Sequence, residues 1–195
     1  MKHSIVTRIN FTDLSLMGEY LKITKEVLIP ALKSQTVKAF EWIVLTNVET
    51  LDILKSELDY PFTAVYGNGQ CFSYLLDNEI NIQTRHDCDD YMSPTYVQKI
   101  QETYLSNYKR YDKFIVQAQP TQLLYQTGEE IELKPYSNQR CSMFLSLCQE
   151  KVENHIFERT HGQMYEITGN VITMPVGYAK WVIHGKNKSV IEKKK

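Results

Sequence analysis

The feature that most constrains the fold is a nearly continuous apolar run at residues 40–46, with the sequence FEWIVLT. Such a run predicts a strand that is covered on both faces, as in a parallel sheet. Residues 4–9, 62–66 and 81–85 predict three more strands. Helical segments separate these runs, so the first half of the chain predicts an α/β domain with a mostly parallel sheet.

The helices of the first half are marked by apolar spacing and by capping residues. Residues 16–32 predict a long helix with an irregular last turn at Pro30, and residues 50–58 predict a short amphipathic helix. Ser93 and Pro94 predict the start of a further helix, with Ser93 as its N-cap. The glycines of Gly67-Asn68-Gly69 predict a turn.

The second half of the chain has a different pattern. Two β-rich runs within 112–125, and a third at 128–135, predict antiparallel hairpins. Residues 142–154 predict a helix, and 163–167 with 171–174 predict a hairpin turned by Gly169-Asn170. We therefore expect a three-layer α/β/α domain with a mixed, mostly parallel sheet and added antiparallel hairpins, formed by residues 1–195 as one unit.

Charge and composition exclude several classes of function. The formal net charge is −1, which argues against electrostatic binding to nucleic acid, and the only basic cluster is the tail at 186–195. No apolar stretch is long enough for a membrane span, and Met1-Lys2-His3 does not resemble a leader. The four cysteines have no metal-finger spacing, so we expect free thiols and a cytoplasmic protein.

The strongest chemical signal is an acidic cluster that follows the strand at 81–85. Asp87 and Asp89 are two residues apart, so in an extended chain their carboxylates point to the same side, and Asp90 adds a third. Hard oxygen ligands of this kind suit Mg²⁺ or Mn²⁺ completed by phosphate oxygens and water. Ligands of open α/β sheets bind at the carboxyl ends of strands, where this cluster lies.

A plainer interpretation of the cluster is a solvated turn whose aspartates cap the next helix. Three like charges within four positions repel one another, and this favours a bound cation. Arg85 could supply part of the compensation from within the chain.

Four short motifs, in order along the chain, resemble the GT-A glycosyltransferases and, more narrowly, the rhamnosyltransferase family. They are TRINF at 7–11, SQT at 34–36, RHDCDD at 85–90 and WVIHGKN at 181–187. The resemblance implies a GT-A-like domain, with a nucleotide-sugar-binding half at 1–110 and an acceptor-side half at 111–185. It also implies a metal-dependent transfer of sugar from a nucleotide diphosphate to a saccharide or other hydroxyl acceptor.

The resemblance implies roles for particular residues. Asp87, Asp89 and His184 would bind the Mn²⁺ or Mg²⁺ ion, and Asp90 would support the metal or touch the sugar as a catalytic group. The donor would be bound by five residues: Arg8, Asn47, Arg85, Asp87 and Lys186.

An inverting transferase also needs a carboxylate base to accept the proton of the acceptor hydroxyl. The candidates in the second half are Glu129, Glu130, Glu150, Glu153 and Glu158. Glu158 is favoured as the catalytic residue because Arg159, His161 and Gly162 make its surroundings unusually polar. A retaining enzyme would not need this base.

Two other classes of function stay open from the sequence. One is a non-catalytic module that binds a sugar or nucleotide sugar, favoured because the position after the second strand offers Asn47 rather than an aspartate. The other is a phosphotransferase or nucleotidyltransferase that uses the same carboxylates, although no Lys- or Gly-rich phosphate loop follows the first strand.

Overall fold

A computed structural model describes residues 1–10, 14–124 and 144–183 of the chain. Its ten strands are β1 (His3–Arg8), β2 (Glu41–Thr46), β3 (Thr63–Tyr66), β4 (Ile82–Arg85), β5 (Tyr91–Met92), β6 (Lys113–Gln117), β7 (Pro120–Leu124), β8 (Leu145–Gln149), β9 (Val171–Thr173) and β10 (Ala179–Ile183). Its α-helices are α1 (Leu14–Ile23), α2 (Ile29–Ser34), α3 (Val48–Glu57), α4 (Gly67–Asp77) and α5 (Tyr96–Asn107).

Seven strands form one sheet in the order β3-β2-β1-β4-β8-β6-β9. Every neighbouring pair is parallel except the two pairs that include β8, which runs antiparallel to β4 and to β6. The predicted α/β class with a mixed, mostly parallel sheet is confirmed. The four strands predicted for the first half are all present, as β1, β2, β3 and β4.

Both faces of the sheet are covered, which gives three layers. In β1 the side chains alternate, so that Ile5 joins one buried cluster and Val6 joins the other. Helices α1, α2, α3 and α5 contribute to the Ile5 cluster. Helix α4 and the segment that carries Ile156 and Phe157 contribute to the Val6 cluster. One face is therefore covered by helices, and the other partly by a segment that is not helical.

The long helix predicted at 16–32 is present but irregular. A π-helical turn, Thr24–Leu28, separates α1 from α2. Pro30 lies in the first turn of α2 and has no backbone N–H to donate to the carbonyl four residues earlier. The predicted irregularity is therefore confirmed, and it occupies the turn immediately before Pro30.

Two local predictions in the first half are wrong. The segment Gly67-Asn68-Gly69 begins α4 instead of forming a separate turn, and Gly67 has φ 69°, a conformation that favours glycine. Ser93 is not the N-cap of α5, because the helix begins at Tyr96 with Thr95 as its cap. The Ser93 carbonyl instead accepts a hydrogen bond from the Tyr96 N–H.

The pairing predicted for the second half is also wrong. The helix predicted at 142–154 is absent from its described part, residues 144–154, since β8 lies inside the seven-stranded sheet with all five residues buried. Residues 163–167 lie in or next to a 3₁₀ helix (His161–Glu166), and β9 pairs in parallel with β6 rather than in a hairpin. The hairpin predicted within 112–125 is absent, and the run at 128–135 lies outside the described residues.

A second, three-stranded sheet has the order β5-β10-β7. Strand β10 is antiparallel to β5 and parallel to β7. Strand β5 directly follows the acidic cluster, so this small sheet brings the last described strand next to Asp90. Among the described helices, none is long and apolar enough to cross a membrane.

A buried polar network links the start of β1 to its neighbours. The His3 Nε2 atom lies 2.7 Å from the Thr84 hydroxyl, which lies 2.7 Å from the Ser146 hydroxyl. The Gln101 amide nitrogen lies 3.3 Å from His3 Nδ1. Because an amide nitrogen only donates, Nδ1 accepts and His3 is held in its neutral form. Burial lowers the pKa of His3 from 6.5 to about 3.

We expect stability to fall as the pH falls below 6.5. The unfolded chain binds a proton at His3 below this value, whereas the folded chain does not until about pH 3. Between pH 7 and pH 5 the loss from His3 should be about 2 kcal/mol in the free energy of unfolding. Urea denaturation of the wild type and of His3→Gln at both pH values measures it. An equal loss of stability in the two proteins would contradict the assignment to His3.

Candidate active site at the carboxyl ends of β1 and β4

The order of the parallel strands creates a crossing point between β1 and β4. From β1 the chain builds outward through β2 and β3, and it then returns to place β4 on the other side of β1. At such a point the connections leave the two strands in opposite directions and open a crevice, in which α/β proteins bind their ligands. Arg8 is the last residue of β1, and Arg85 is the last residue of β4.

Both arginines stack on one aromatic ring. The guanidinium carbons of Arg8 and Arg85 each lie 4.7 Å from the centroid of the Phe157 ring. The ring face attracts both cations. Burial and the neighbouring Arg8 lower the pKa of Arg85, while Asp87 opposes this change. Two cations that share one ring form a site that suits an anion with two charged groups.

An open pocket of about 670 Å³ surrounds this arginine pair. Besides Arg8, Arg85 and Phe157, it is lined by Glu158, Arg159, Thr160, His161, Gln163 and Glu166. The Arg85 Nε atom and the His161 Nδ1 atom are buried and have no hydrogen-bond partner among the described residues. The pocket thus combines unused polar atoms with two guanidinium groups, and the predicted residues Arg8, Arg85 and Glu158 meet in it.

The acidic loop, residues 86–90, follows β4 and is anchored at several points. The His86 N–H donates to the Val6 carbonyl at 3.1 Å, and the Asp90 N–H donates to the Asp87 carbonyl at 3.3 Å. The Cys88 side chain packs in the core. The loop backbone is therefore held in place, which fixes the starting points of the Asp87 and Asp89 side chains.

The three aspartates of the loop have different surroundings. Asp87 keeps about a third of its side chain exposed, and its Oδ1 lies 3.9 Å from Arg85 Nε. Burial raises the pKa of Asp87 and Arg85 opposes this, while Asp89 adds to the rise. Asp89 is buried to 9% exposure.

Asp90 is almost completely buried, and its Oδ1 accepts a hydrogen bond from the Val182 N–H at 3.1 Å. Burial, with Asp89 and Asp87 nearby, raises the pKa of Asp90 well above its usual range. Its carboxylate connects the acidic loop to β10, and it does not line the arginine pocket. The catalytic role predicted for Asp90 stays a prediction.

The π-helical turn reaches the same loop. The Thr24 hydroxyl lies 3.1 Å from the Cys88 carbonyl and 2.7 Å from the Tyr20 carbonyl, and Thr24 is fully buried. Burial and the nearby Asp89 raise the pKa of Tyr20 to about 12. Single π-turns within α-helices often occur at functional sites, and this turn supports the middle residue of the acidic loop.

The remaining predicted site residues lie elsewhere. Asn47 follows β2, where its Oδ1 accepts from the Thr50 N–H at 3.0 Å and caps α3, so this oxygen already has a partner. Glu153 lies 3.4 Å from Lys113 Nζ. Four predicted residues lie outside the described part of the chain: Glu129, Glu130, His184 and Lys186.

Several site residues were not found from the sequence. Phe157 is an isolated aromatic residue in a segment without a motif, and no pattern linked it to two arginines 72 and 149 residues away. Thr24 lies within a helical run that gives no sign of a π-turn. His161 lies in the polar run at 158–162, which was the sequence signal that could have pointed to it. The structure places His161 in the arginine pocket.

No protein-family model matches this chain, and no curated protein sequence matches it. Solved structures with a similar fold include S. aureus TarS 1-349, with TM-score 0.54, 11% identity, and coverage of 93% of this chain and 60% of that one. The same protein in complex with UDP-GlcNAc has TM-score 0.54, 9% identity and coverage of 96% and 60%. A cytidylyltransferase from Leptospira borgpetersenii has TM-score 0.51, 12% identity and coverage of 91% and 76%.

The fold is GT-A-like. TarS is a GT-A-like glycosyltransferase, and the cytidylyltransferase belongs to the nucleotidyltransferases that share this architecture. At identities of 9 to 12% these similarities show the fold alone. The chain spans about 60% of the length of the TarS structures. The narrower resemblance to the rhamnosyltransferase family stays a prediction.

The anchoring of the acidic loop by Thr24 leads to a stability prediction. Thr24→Val keeps the shape of the side chain but removes the hydroxyl, whose single hydrogen faces both the Tyr20 carbonyl at 2.7 Å and the Cys88 carbonyl at 3.1 Å. We expect it to lower the free energy of unfolding by about 1–3 kcal/mol. Thr24→Ser keeps the hydroxyl and should lose clearly less, as measured by urea denaturation at pH 7. Equal losses in the two variants would show that the hydrogen bonding of the Thr24 hydroxyl contributes nothing.

Proposed function

We propose that this chain is a glycosyltransferase that moves a sugar from a nucleotide diphosphate to an acceptor hydroxyl. The observation that carries the proposal is the pair Arg8 and Arg85, which stack on Phe157 at the crossing point of a GT-A-like sheet. A diphosphate offers two negative groups to two guanidinium groups. The solved TarS structures with UDP and UDP-GlcNAc support a nucleotide-sugar donor.

In the proposed reaction an acceptor oxygen attacks the anomeric carbon of the donor sugar. The bond between that carbon and the diphosphate oxygen breaks, and the diphosphate leaves with the bonding electrons. Arg8 and Arg85 stabilise the negative charge that develops on the leaving group. Glu158 lines the same pocket and accepts the proton of the acceptor hydroxyl, as an inverting transfer requires.

The acidic loop fits a divalent cation in part. Asp87 and Asp89 would supply hard carboxylate oxygens, and the remaining positions would be filled by diphosphate oxygens and water. When bound, Mn²⁺ or Mg²⁺ would withdraw charge from the departing diphosphate. Within the described ranges no three His, Cys, Asp or Glu side chains form a metal-binding group. The third ligand predicted from the sequence, His184, lies outside those ranges.

A nucleotidyltransferase is the second candidate, favoured by the similarity to the Leptospira cytidylyltransferase. It would release pyrophosphate from a nucleoside triphosphate. A glycosyltransferase would release the nucleoside diphosphate from its sugar conjugate. A module that only binds nucleotide sugars would release neither. Incubation with UDP-GlcNAc, and with CTP together with a sugar phosphate as the nucleotidyl acceptor, followed by chromatography of the nucleotides, separates the three.

The arginine pair gives the direct test of donor binding. Calorimetry with UDP should show that Arg8→Gln and Arg85→Gln each bind about 10- to 100-fold more weakly than the wild type, since each removes charge-assisted hydrogen bonds to phosphate. Asp89→Ala should remove any gain in affinity that Mn²⁺ gives.

The matched control is Arg110→Gln. Arg110 stacks on Tyr111 just before β6 begins, whereas Arg8 and Arg85 lie where β1 and β4 end, on the other side of the sheet. This variant should bind UDP as the wild type does. The donor-binding proposal fails if the two pocket variants also keep wild-type affinity for UDP, or if no nucleoside diphosphate among UDP, CDP, GDP and ADP binds the wild type.

A further inference from the structure

The segment 150–158 crosses a face of the sheet without forming a helix. Strand β8 is antiparallel to its neighbours, so it ends beside the first residues of β4 and β6. This is the amino edge of the sheet, the side on which the parallel strands begin; they end at its carboxyl edge. The chain then returns to the carboxyl edge, where Phe157 meets Arg8 and Arg85. A segment that lies on a sheet without a helix leaves its backbone polar groups to be satisfied by side chains.

Two fully buried glutamines satisfy these backbone groups. Gln83 of β4 donates to the Asn154 carbonyl at 3.1 Å and accepts from the Ile156 N–H at 3.0 Å. Gln149 of β8 donates to the same carbonyl at 2.8 Å and accepts from the Asn154 N–H at 3.0 Å. Asn154 is therefore held through its backbone at both its N–H and its carbonyl.

The Asn154 side chain connects two charged groups. Its Nδ2 donates to Glu158 Oε2 at 3.0 Å, and its Oδ1 accepts from Lys113 Nζ. An ammonium group only donates, so the amide oxygen must face Lys113 and the amide N–H₂ must face Glu158. The amide dipole is thus aligned between a cation and a carboxylate, which strengthens both hydrogen bonds. Among the described residues no hydrogen bond reaches Glu158 Oε1.

We propose that Asn154 is a positioning residue that, with Lys113 behind it, holds one oxygen of Glu158 and leaves the other for the acceptor hydroxyl. This inference rests on the proposed function, in which Glu158 is the catalytic base. A carboxylate base must be ionised and correctly oriented before the acceptor arrives. A donor that is itself held by an ammonium group supports the orientation of the Glu158 carboxylate.

Other charged and titratable groups also face Glu158, and the test must keep them constant. They are Arg8, Arg85, Arg159, His155, His161 and Glu166. None of them is changed in the variants below, so a difference between variants reports on the hydrogen bonds that connect Lys113, Asn154 and Glu158. The backbone contacts of Asn154 do not depend on its side chain, so these variants should keep the loop in place.

The experiment compares Asn154→Asp, Asn154→Ala and Lys113→Met with the wild type. ¹³C NMR, with Glu158→Gln for assignment, follows the titration of the Glu158 carboxyl. Asn154→Asp replaces the donor by a second carboxylate, so the Glu158 titration midpoint should move up by about one pH unit. Lys113→Met should move it in the same direction by less. The matched control is Asn170→Ala, because the Asn170 Nδ2 atom donates to the backbone carbonyl of Lys113, at 3.3 Å, rather than to its side chain.

The second readout is UDP-GlcNAc hydrolysis with water as the acceptor. Asn154→Ala should lower kcat by about 10-fold or more with KM within about twofold, since donor binding does not involve this side chain. In Asn154→Asp the acid limb of the pH–rate profile should shift with the NMR midpoint. Asn170→Ala should leave both readouts unchanged.

The inference is overturned if folded Asn154 and Lys113 variants titrate Glu158 at the wild-type midpoint. It is also overturned if Glu158→Gln loses activity while Asn154→Ala keeps the wild-type kcat. A wild type that releases no UDP from UDP-GlcNAc would count against the proposed function instead. In that case the NMR titration alone would still decide whether Asn154 controls Glu158.

Discussion

The contact of Arg8 and Arg85 with one phenylalanine ring joins three distant parts of the chain. The arginines end two neighbouring parallel strands, and Phe157 comes from the segment after β8. Two guanidinium groups on adjacent strands repel each other, and the attraction of the Phe157 ring for both offsets part of this repulsion. The ring lines the crevice at the strand crossing and holds both cations there. This arrangement shapes the pocket that Glu158 lines, and it places Arg85 beside the acidic loop.

The direction of β8, which is antiparallel to both of its neighbours in the seven-stranded sheet, explains how Phe157 reaches that position. Because β8 runs opposite to its neighbours, the chain leaves it at the amino edge and must travel back along the sheet. An α-helix would satisfy its own backbone on the way, but this segment uses Gln83 and Gln149, whose amides are fully buried and bonded to its backbone. Burying two amides is costly unless each is hydrogen-bonded, and here both are. These bonds hold the segment at Asn154 and Ile156, and Glu158, two residues further on, lines the pocket.

The first half of the fold could be predicted because its strands are buried on both faces and therefore appear as continuous apolar runs, as in β2. In the second half the β-rich runs that became β6, β7 and β9 could be predicted, but β8 and the strand pairing could not, because β8 and β9 are short and their partners lie far away in the sequence. LSLCQ has no alternation that distinguishes a fully buried strand from a helix. Arg8 and Arg85 could be proposed from the motifs that carry the family resemblance, and Glu158 from its polar run. Phe157, Asn154 and the two glutamines carry no motif, and their roles follow only from the path of the chain after β8.

The three aspartates that dominate the sequence are not equivalent once the chain is folded. Asp90 Oδ1 accepts a hydrogen bond from the Val182 N–H and so connects the small sheet to the loop. Asp87 faces Arg85 at 3.9 Å and stays partly exposed. A cation at this loop would therefore depend on Asp87 and Asp89, with Asp90 fixing the backbone that carries them. Under the proposed function, a diphosphate bound by Arg8 and Arg85 would lie beside this loop, because Asp87 Oδ1 is 3.9 Å from Arg85 Nε. The arginine pair, rather than the number of aspartates, would then determine where the leaving group of the proposed reaction lies.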